Sequence, residues 1–394
     1  SPLFLVAFAN TKAMLKLPSL PGYPRAAVYP PTGVTVLAHD EQPAAKSGLE
    51  QEVPEAIWKA VVDFYRLGLH PAISICLTVG GHTVLRRSIG YIKGAGPSDT
   101  GPEVLATPDT PFNLFSASKP ITGMLMMHLV ECGELDLDLP VAHYLPGFER
   151  HGKGGITVRH VLCHRAGMPA LPGGKVLLPK LHDPQHIIDE LCAVVPQYPP
   201  GEVLAYHALT GGFILAALVE KVTGEPLRNL CQKVLADPLG CNWFNYGVRA
   251  DQIDQLPDIA YTGPPSIPAL NNILRRATGA GPRTLVELCN EPLFRTASIA
   301  SANIYATPAE VCRFYEMLRL GGRHKDQQLF QQRTVTQAIA PQADWARDRV
   351  LQVPMRYGLG FMLGGKYLSL YGFDSPKAFG HLGLSNVFTW ADPE

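Results

Sequence analysis

The sequence predicts an α/β protein in which an antiparallel sheet is flanked by helices and a mostly helical region is inserted between early and late strands. Three observations predict it. Residues 72–92, AISICLTVGGHTVLRRSIGYI, are rich in β-branched side chains on both sides of Gly80-Gly81, the pattern of a β-hairpin. The late segments RYGLGFMLGG, YLSLYGF and SNVFTWAD read as further strands. Between them, helical patterns dominate as far as about Leu239. Strands early and late with helices between argue for one sheet completed by both ends of the chain, not for an alternating βαβ array. A chain of 394 residues is long enough for such a two-part architecture.

Each element has its own signal. Residues 1–50 are Pro-rich and weakly patterned, and read as an extended arm packed on the surface. EVPEAIWKAVVDFYRLG at 52–68 carries apolar residues at helical spacing and stops at a Gly, so it reads as an amphipathic helix. The hairpin follows. A helix then reads from Ser116 to about Gly133, and ITVRHVLCHRAGMPAL reads as a strand-like start, a helix and a turn. ALTGGFILAALVEKVTG is a further helix, and 247–300 is less regular. TPAEVCRFYEMLRLGG at 307–322 has a Thr-Pro start and a Gly stop, the signature of a delimited helix. The expected organisation is an arm over 1–50, a sheet domain from 51–115 and 300–394, and a helical domain over 116–299.

Composition excludes several classes. Basic and acidic residues balance at 34 each, so no net positive field draws nucleic acid or an anionic membrane surface. No apolar run reaches the length of a membrane span. The start, SPLFLVAFA, lacks a basic region and an initiator Met and reads as a processed or truncated end. The eight cysteines form no C-x-x-C and read as reduced thiols, which points to the cytoplasm. There is no G-x-S-x-G, Walker A, G-x-G-x-x-G or H-E-x-x-H motif. His160 and His164, and likewise His182 and His186, have a spacing that suits a metal, but no third ligand sits nearby. They read as helix-surface histidines, and no metal or organic cofactor is expected.

What remains is Ser116-Ala117-Ser118-Lys119, the one S-x-x-K in the chain. Positions i and i+3 share a helix face, so the Lys119 amine reaches the Ser116 hydroxyl. A serine hydroxyl is a weak nucleophile until a base takes its proton, and a lysine whose pKa is lowered by burial can take it. Alone, the motif is as consistent with an ordinary helix start. Its context is more specific. DTPFNLFSASKPITGM, GELDLDLPVAHYLPGF, ITVRHVLCHRAGMPAL and PPGEVLAYHALTGGFILAALVEKVTGEPL occur in order. Together they resemble the serine β-lactamase-related family, and within it most resemble the family VIII carboxylesterases. The resemblance spans about 70–394.

The resemblance implies a serine carboxylesterase acting on small ester substrates, with Ser116 as nucleophile and Lys119 and Tyr206 beside it. The family's Tyr-x-Asn motif reads Tyr206-His207-Ala208 here, so the Asn that holds a β-lactam amide is absent. Its Lys-Thr-Gly motif reads His381-Leu382-Gly383. By the same resemblance the amides of Ser116 and Leu384 form the oxyanion hole, while His381, Gly383, His207 and Asn303 border the substrate. Alternatives of the same fold are a β-lactamase, a D-amino-acid peptidase or an acyltransferase. A non-catalytic scaffold is a further one. Family members continue beyond a stretch like TWADPE with one more strand and a C-terminal helix. The expectation is therefore a sheet lacking both, with an uncovered face or edge near Glu394, or with the arm 1–50 in that place.

Overall fold

The computed structural model describes residues 23–170, 180, 183–263, 271–272, 274–275, 278–367 and 369–394. The first 22 residues of the arm and His182 lie outside the described residues.

The arm is not wholly an extended surface tail. Its β1 (Thr35–Leu37) pairs with the hairpin, Thr35 opposite Ile89. Next come helix α1 (Glu52–Tyr65), β2 (Ala72–Val79) and β3 (His82–Lys93). The β2–β3 turn is Gly80-Gly81, with φ of 57° and 84°, the double positive φ that a two-residue hairpin turn demands and that glycine supplies without a Cβ penalty. Helix α1 lies on the hairpin through Tyr65, which is buried with Val34 and Ile89. Arg87 of β3 fixes it there, paired with Glu41 of the arm and Glu55 of α1.

Two short strands, β4 (Val104–Leu105) and β5 (Phe112–Asn113), lead into α2 (Lys119–Glu131). Almost every α2 side chain from Lys119 to Met127 is buried, as befits a helix at the centre of a core. Around it come α3 (Val158–Leu162), α4 (Pro184–Ala193) and α5 (Thr210–Thr223), the last stopped by Gly224 in the left-handed region. Strands β6 (Asn245–Tyr246) and β7 (Ile304–Ala306) flank β5 in the order β5-β7-β6. This small sheet joins segments from both expected domains, and one apolar core runs from Leu114 to Phe379. Helix α6 (Pro308–Arg319) has the predicted start, a capping box between Thr307 and Glu310.

The late strands are β8 (Met362–Leu363), β9 (Phe379–Leu382) and β10 (Phe388–Ala391), all antiparallel. The described residues of YLSLYGF, 367 and 369–373, are not in a strand. Tyr371 is instead buried, its hydroxyl donating to the Met362 carbonyl, and the segment turns. The expected single sheet is also divided. Among the described residues β2 ends one ladder and β10 the other, with no strand bonded to both. Helix α6 bridges them. Its Cys312 Sγ lies 3.5 Å from the Cys76 carbonyl, and its Tyr315 hydroxyl lies 3.0 Å from Thr389 Oγ1. The outward side chains of β10, Phe388 and Trp390, are exposed.

Candidate active site

The segment entering α2 is bent sharply. Leu114 donates its amide to Ile304 of β7, and the Asn113 side chain accepts the Phe115 amide at 2.7 Å. Phe115 has φ of 46°, a conformation that a bulky residue adopts only when its surroundings impose it. A 3-10 turn over Phe115–Ser118 follows, and the α-helix proper begins at Lys119 rather than at Ser116. Ser116 is partly exposed, whereas Ala117, Ser118 and Lys119 are buried. The bend thus presents one hydroxyl to the outside and one amine behind it.

Lys119 Nζ makes three contacts: Ser116 Oγ at 3.1 Å, the Ala208 carbonyl at 3.0 Å and the Ser301 carbonyl at 3.1 Å. Burial pushes its pKa well below the ordinary lysine value. A neutral amine has two N–H groups and one lone pair. The two carbonyls can only accept, so they take the N–H groups and leave the lone pair for the Ser116 hydroxyl. The arrangement can therefore deprotonate Ser116.

Tyr206 sits beside this pair, with Lys119 Nζ 4.8 Å from the centre of its ring. Its amide donates to Asp348 Oδ1 at 3.2 Å, and its ring packs 4.7 Å from that of His164. Burial drives its phenol strongly upward, and the Ser116 hydroxyl is the one influence favouring the phenolate. The phenol thus stays protonated in its resting state, which suits a proton relay better than a standing phenolate base.

Strand β9 closes the site. The His381 ring lies 6.1 Å from Tyr206, its Nδ1 donates to the Leu382 carbonyl, and burial and Lys119 push its pKa down to about 3. A Cβ on Gly383 would collide with the Leu114 carbonyl, so this glycine lets β9 lie directly against the Ser116 bend. Leu384 opens the 3-10 turn that follows, and the first amide of such a turn has no partner within it.

Of the expected substrate neighbours, His381 is itself fully buried but lies beside Tyr206, whereas two others are placed elsewhere. Asn303 is fully buried, and its amide is spent on Ile299, Phe294 and Ala297 within its own loop. His207 is also fully buried and faces the interior behind Lys119. His164 is not a helix-surface histidine either: it is buried, with φ of 62° and its Nδ1 accepting the His207 amide. His160 caps the start of α3 with Thr157. No cluster of three or more metal-ligating side chains occurs among the described residues. Asp348 is a supporting residue that sequence reasoning missed. It lies 142 positions from Tyr206, and no local pattern announces it.

The profile of the Beta-lactamase family matches residues 63–394. The esterase/beta-lactamase LipL of Mycobacterium tuberculosis is 30% identical over 295 residues, 71% of this chain and 66% of LipL. The esterase EstB of Burkholderia gladioli is 25% identical over 261 residues, 61% of this chain and 66% of EstB. The chain thus spans just under two thirds of the length of both curated relatives. Among solved structures, EstA from Arthrobacter nitroguajacolicus superposes with a TM-score of 0.72 at 26% identity, covering 91% of this chain and 89% of EstA. A family VIII carboxylesterase gives a TM-score of 0.71 at 24% identity, covering 84% and 86% of the two chains. The chain therefore belongs to the Beta-lactamase family and has the serine β-lactamase-like α/β fold.

Proposed function

We propose that the chain is a serine hydrolase working as a carboxylesterase on short-chain esters, through an acyl-enzyme on Ser116. The observation that carries this reading is the Lys119 amine, held by two carbonyls so that its lone pair meets the Ser116 hydroxyl at 3.1 Å. In acylation, Ser116 Oγ attacks the ester carbonyl as its proton passes to Lys119. The amides of Ser116 and Leu384 receive the developing oxyanion, and such donors typically contribute about 3–4 kcal/mol to the transition state. As the tetrahedral intermediate collapses the C–O bond to the alcohol breaks, and the proton returns through Lys119 and Tyr206 to the departing alkoxide. Water then repeats the cycle and frees the acid. The relatives LipL and EstB, both named esterases, support the esterase reading.

One observation favours a second reading, β-lactam hydrolysis: LipL is named for both activities. The residues present oppose it. Ala208 has no side-chain amide for the antibiotic, and a neutral His381 offers no cation to its carboxylate. Each missing hydrogen bond costs on the order of 1–3 kcal/mol, so the two absences should slow β-lactam turnover by roughly 30-fold to about 2 × 10⁴-fold. The test is kcat/KM for p-nitrophenyl acetate against nitrocefin on one preparation, with fluorophosphonate labelling of wild type and Ser116→Ala. Ester turnover and labelling, both lost in Ser116→Ala, are expected. Comparable values for the two substrates would put the β-lactamase reading in its place, and labelling of the variant would remove Ser116 from its role.

A further inference from the structure

Lys119 also lines a cavity of about 20 Å³, together with His164, His207 and Ser301 among apolar neighbours, and Ser116 is not part of that lining. Three polar atoms on these residues are buried without a partner: His164 Nε2, His207 Nδ1 and Ser301 Oγ. Backbone amides decide what those nitrogens carry. The His207 amide donates to His164 Nδ1 at 3.1 Å, so the proton of a neutral His164 is on Nε2. The Met168 amide donates to His207 Nε2 at 3.1 Å, so the proton of a neutral His207 is on Nδ1. The cavity is therefore lined by two N–H donors and one hydroxyl, none of them satisfied by protein. A buried donor left so costs about 1–3 kcal/mol.

A metal ion does not suit N–H donors. A water does: its lone pairs take the two N–H groups and one of its hydrogens goes to Ser301 Oγ, giving the usual three bonds of an internal water. The space also suits it, since one water needs at least about 10–15 Å³. The geometry points to a binding site for a single ordered water that ties His164 and His207 to Ser301. Its position gives it a task. His207 precedes Ala208, and the carbonyls of Ala208 and Ser301 are the two that hold Lys119. The water spans these two chain segments and sets their spacing, and through them the direction of the Lys119 lone pair. His164, His207 and Ser301 are thus positioning residues, not catalytic ones.

This role for Lys119 rests on the esterase reading, but the water does not. The experiment is a high-resolution crystal structure of wild type and Ser301→Ala, with a bromide soak, beside kcat and KM for p-nitrophenyl acetate. Ser301→Ala keeps the carbonyl that holds Lys119 and removes only the hydroxyl. In wild type, one water within hydrogen-bond distance of all three atoms is expected. In Ser301→Ala, the water should be lost or displaced and the Lys119–Ser116 distance changed. Its kcat should fall about tenfold, the worth of one hydrogen bond, with KM within about twofold. His207→Asn, whose amide nitrogen stands where Nδ1 stood, should keep the water and most of the kcat, whereas His207→Leu should lose both. An empty wild-type cavity, or bromide in it, overturns the site. Loss of the water with Lys119 and kcat unchanged overturns the positioning role. A wild type with the water in place but no ester turnover removes the esterase reading alone.

Discussion

Lys119 has its chemistry imposed by two carbonyls and by burial. An ammonium in this place would keep three acceptors but lose its solvation, and burial favours the neutral amine. Activity should accordingly require the deprotonated form. As pH falls through the depressed lysine pKa, kcat/KM should fall, and it should be flat above it. Lys119→Arg tests this directly, because a guanidinium keeps donors and is permanently charged but cannot give up a proton. It should lose about 10²–10⁴-fold in kcat, the worth of a general base. Near-wild-type turnover in the Arg variant would show that the charge, not the lone pair, is what matters. Tyr206→Phe should lose activity as well. Both groups serve one proton transfer, so the double variant Lys119→Ala, Tyr206→Phe should be little worse than the worse single. Additive losses would argue against a shared relay. The pair Ser116 and Lys119 was legible in the sequence because a helical turn makes i, i+3 neighbours whatever the rest of the fold does. Tyr206 was legible only by resemblance, and the supports of its amide and ring, Asp348 and His164, lie 142 and 42 positions away from it.

At the scale of elements, the site is made by a strand laid against a bend. Strand β9 reaches the Ser116 turn only because Gly383 has no side chain to meet the Leu114 carbonyl. Gly383→Ala should separate the two and pull Leu384 away from Ser116. The expected result is a fall in kcat of about 10²-fold or more, the scale of one lost oxyanion donor, with a smaller loss of stability. Comparison of kcat with the melting temperature decides it: a variant that loses stability while kcat holds would mean that the Leu384 amide takes no part. The hairpin and α6 were legible because their stops are local: Gly80-Gly81 for one, Thr307-Pro308 and Gly321 for the other. The Ser116 bend was not. The sequence predicts the first turn of a helix there, but the Asn113 side chain and the Ile304 carbonyl hold the chain in a 3-10 turn with Phe115 in a positive-φ conformation. Those holding groups come from a short strand pairing that no sequence pattern reveals.

Across the whole molecule, the layered α/β plan was legible from strand and helix periods, whereas the pairing of arm residues 35–37 with β3 and the break between β2 and β10 were not. Strand pairing is set by which edges meet, and a Pro-rich arm carries little periodicity to announce it. The helical and sheet parts close around the site, and three histidines from different segments, His164, His207 and His381, are buried there together. All three have depressed pKa values, His207 and His381 down to about 3 and His164 well below its usual 6.5. In the unfolded chain each takes up a proton near pH 6.5, while the native protein refuses it. The unfolded state therefore binds more protons as pH falls, so stability is full above about pH 6.5 and is lost progressively towards pH 3. Each histidine adds at most about 1.4 kcal/mol per pH unit to that slope. Asp348, whose pKa is raised by burial, acts in the opposite sense, because the native state then holds a proton that the unfolded chain has released. The contribution of one histidine is isolated by comparing wild type with His381→Phe in urea unfolding at a series of pH values between 6.5 and 4. The variant should show a shallower loss of stability, by up to about 1.4 kcal/mol per pH unit. Parallel curves would mean that His381 takes up its proton in the native state as readily as in the unfolded chain, and the argument from a neutral His381 against β-lactam binding would go with it.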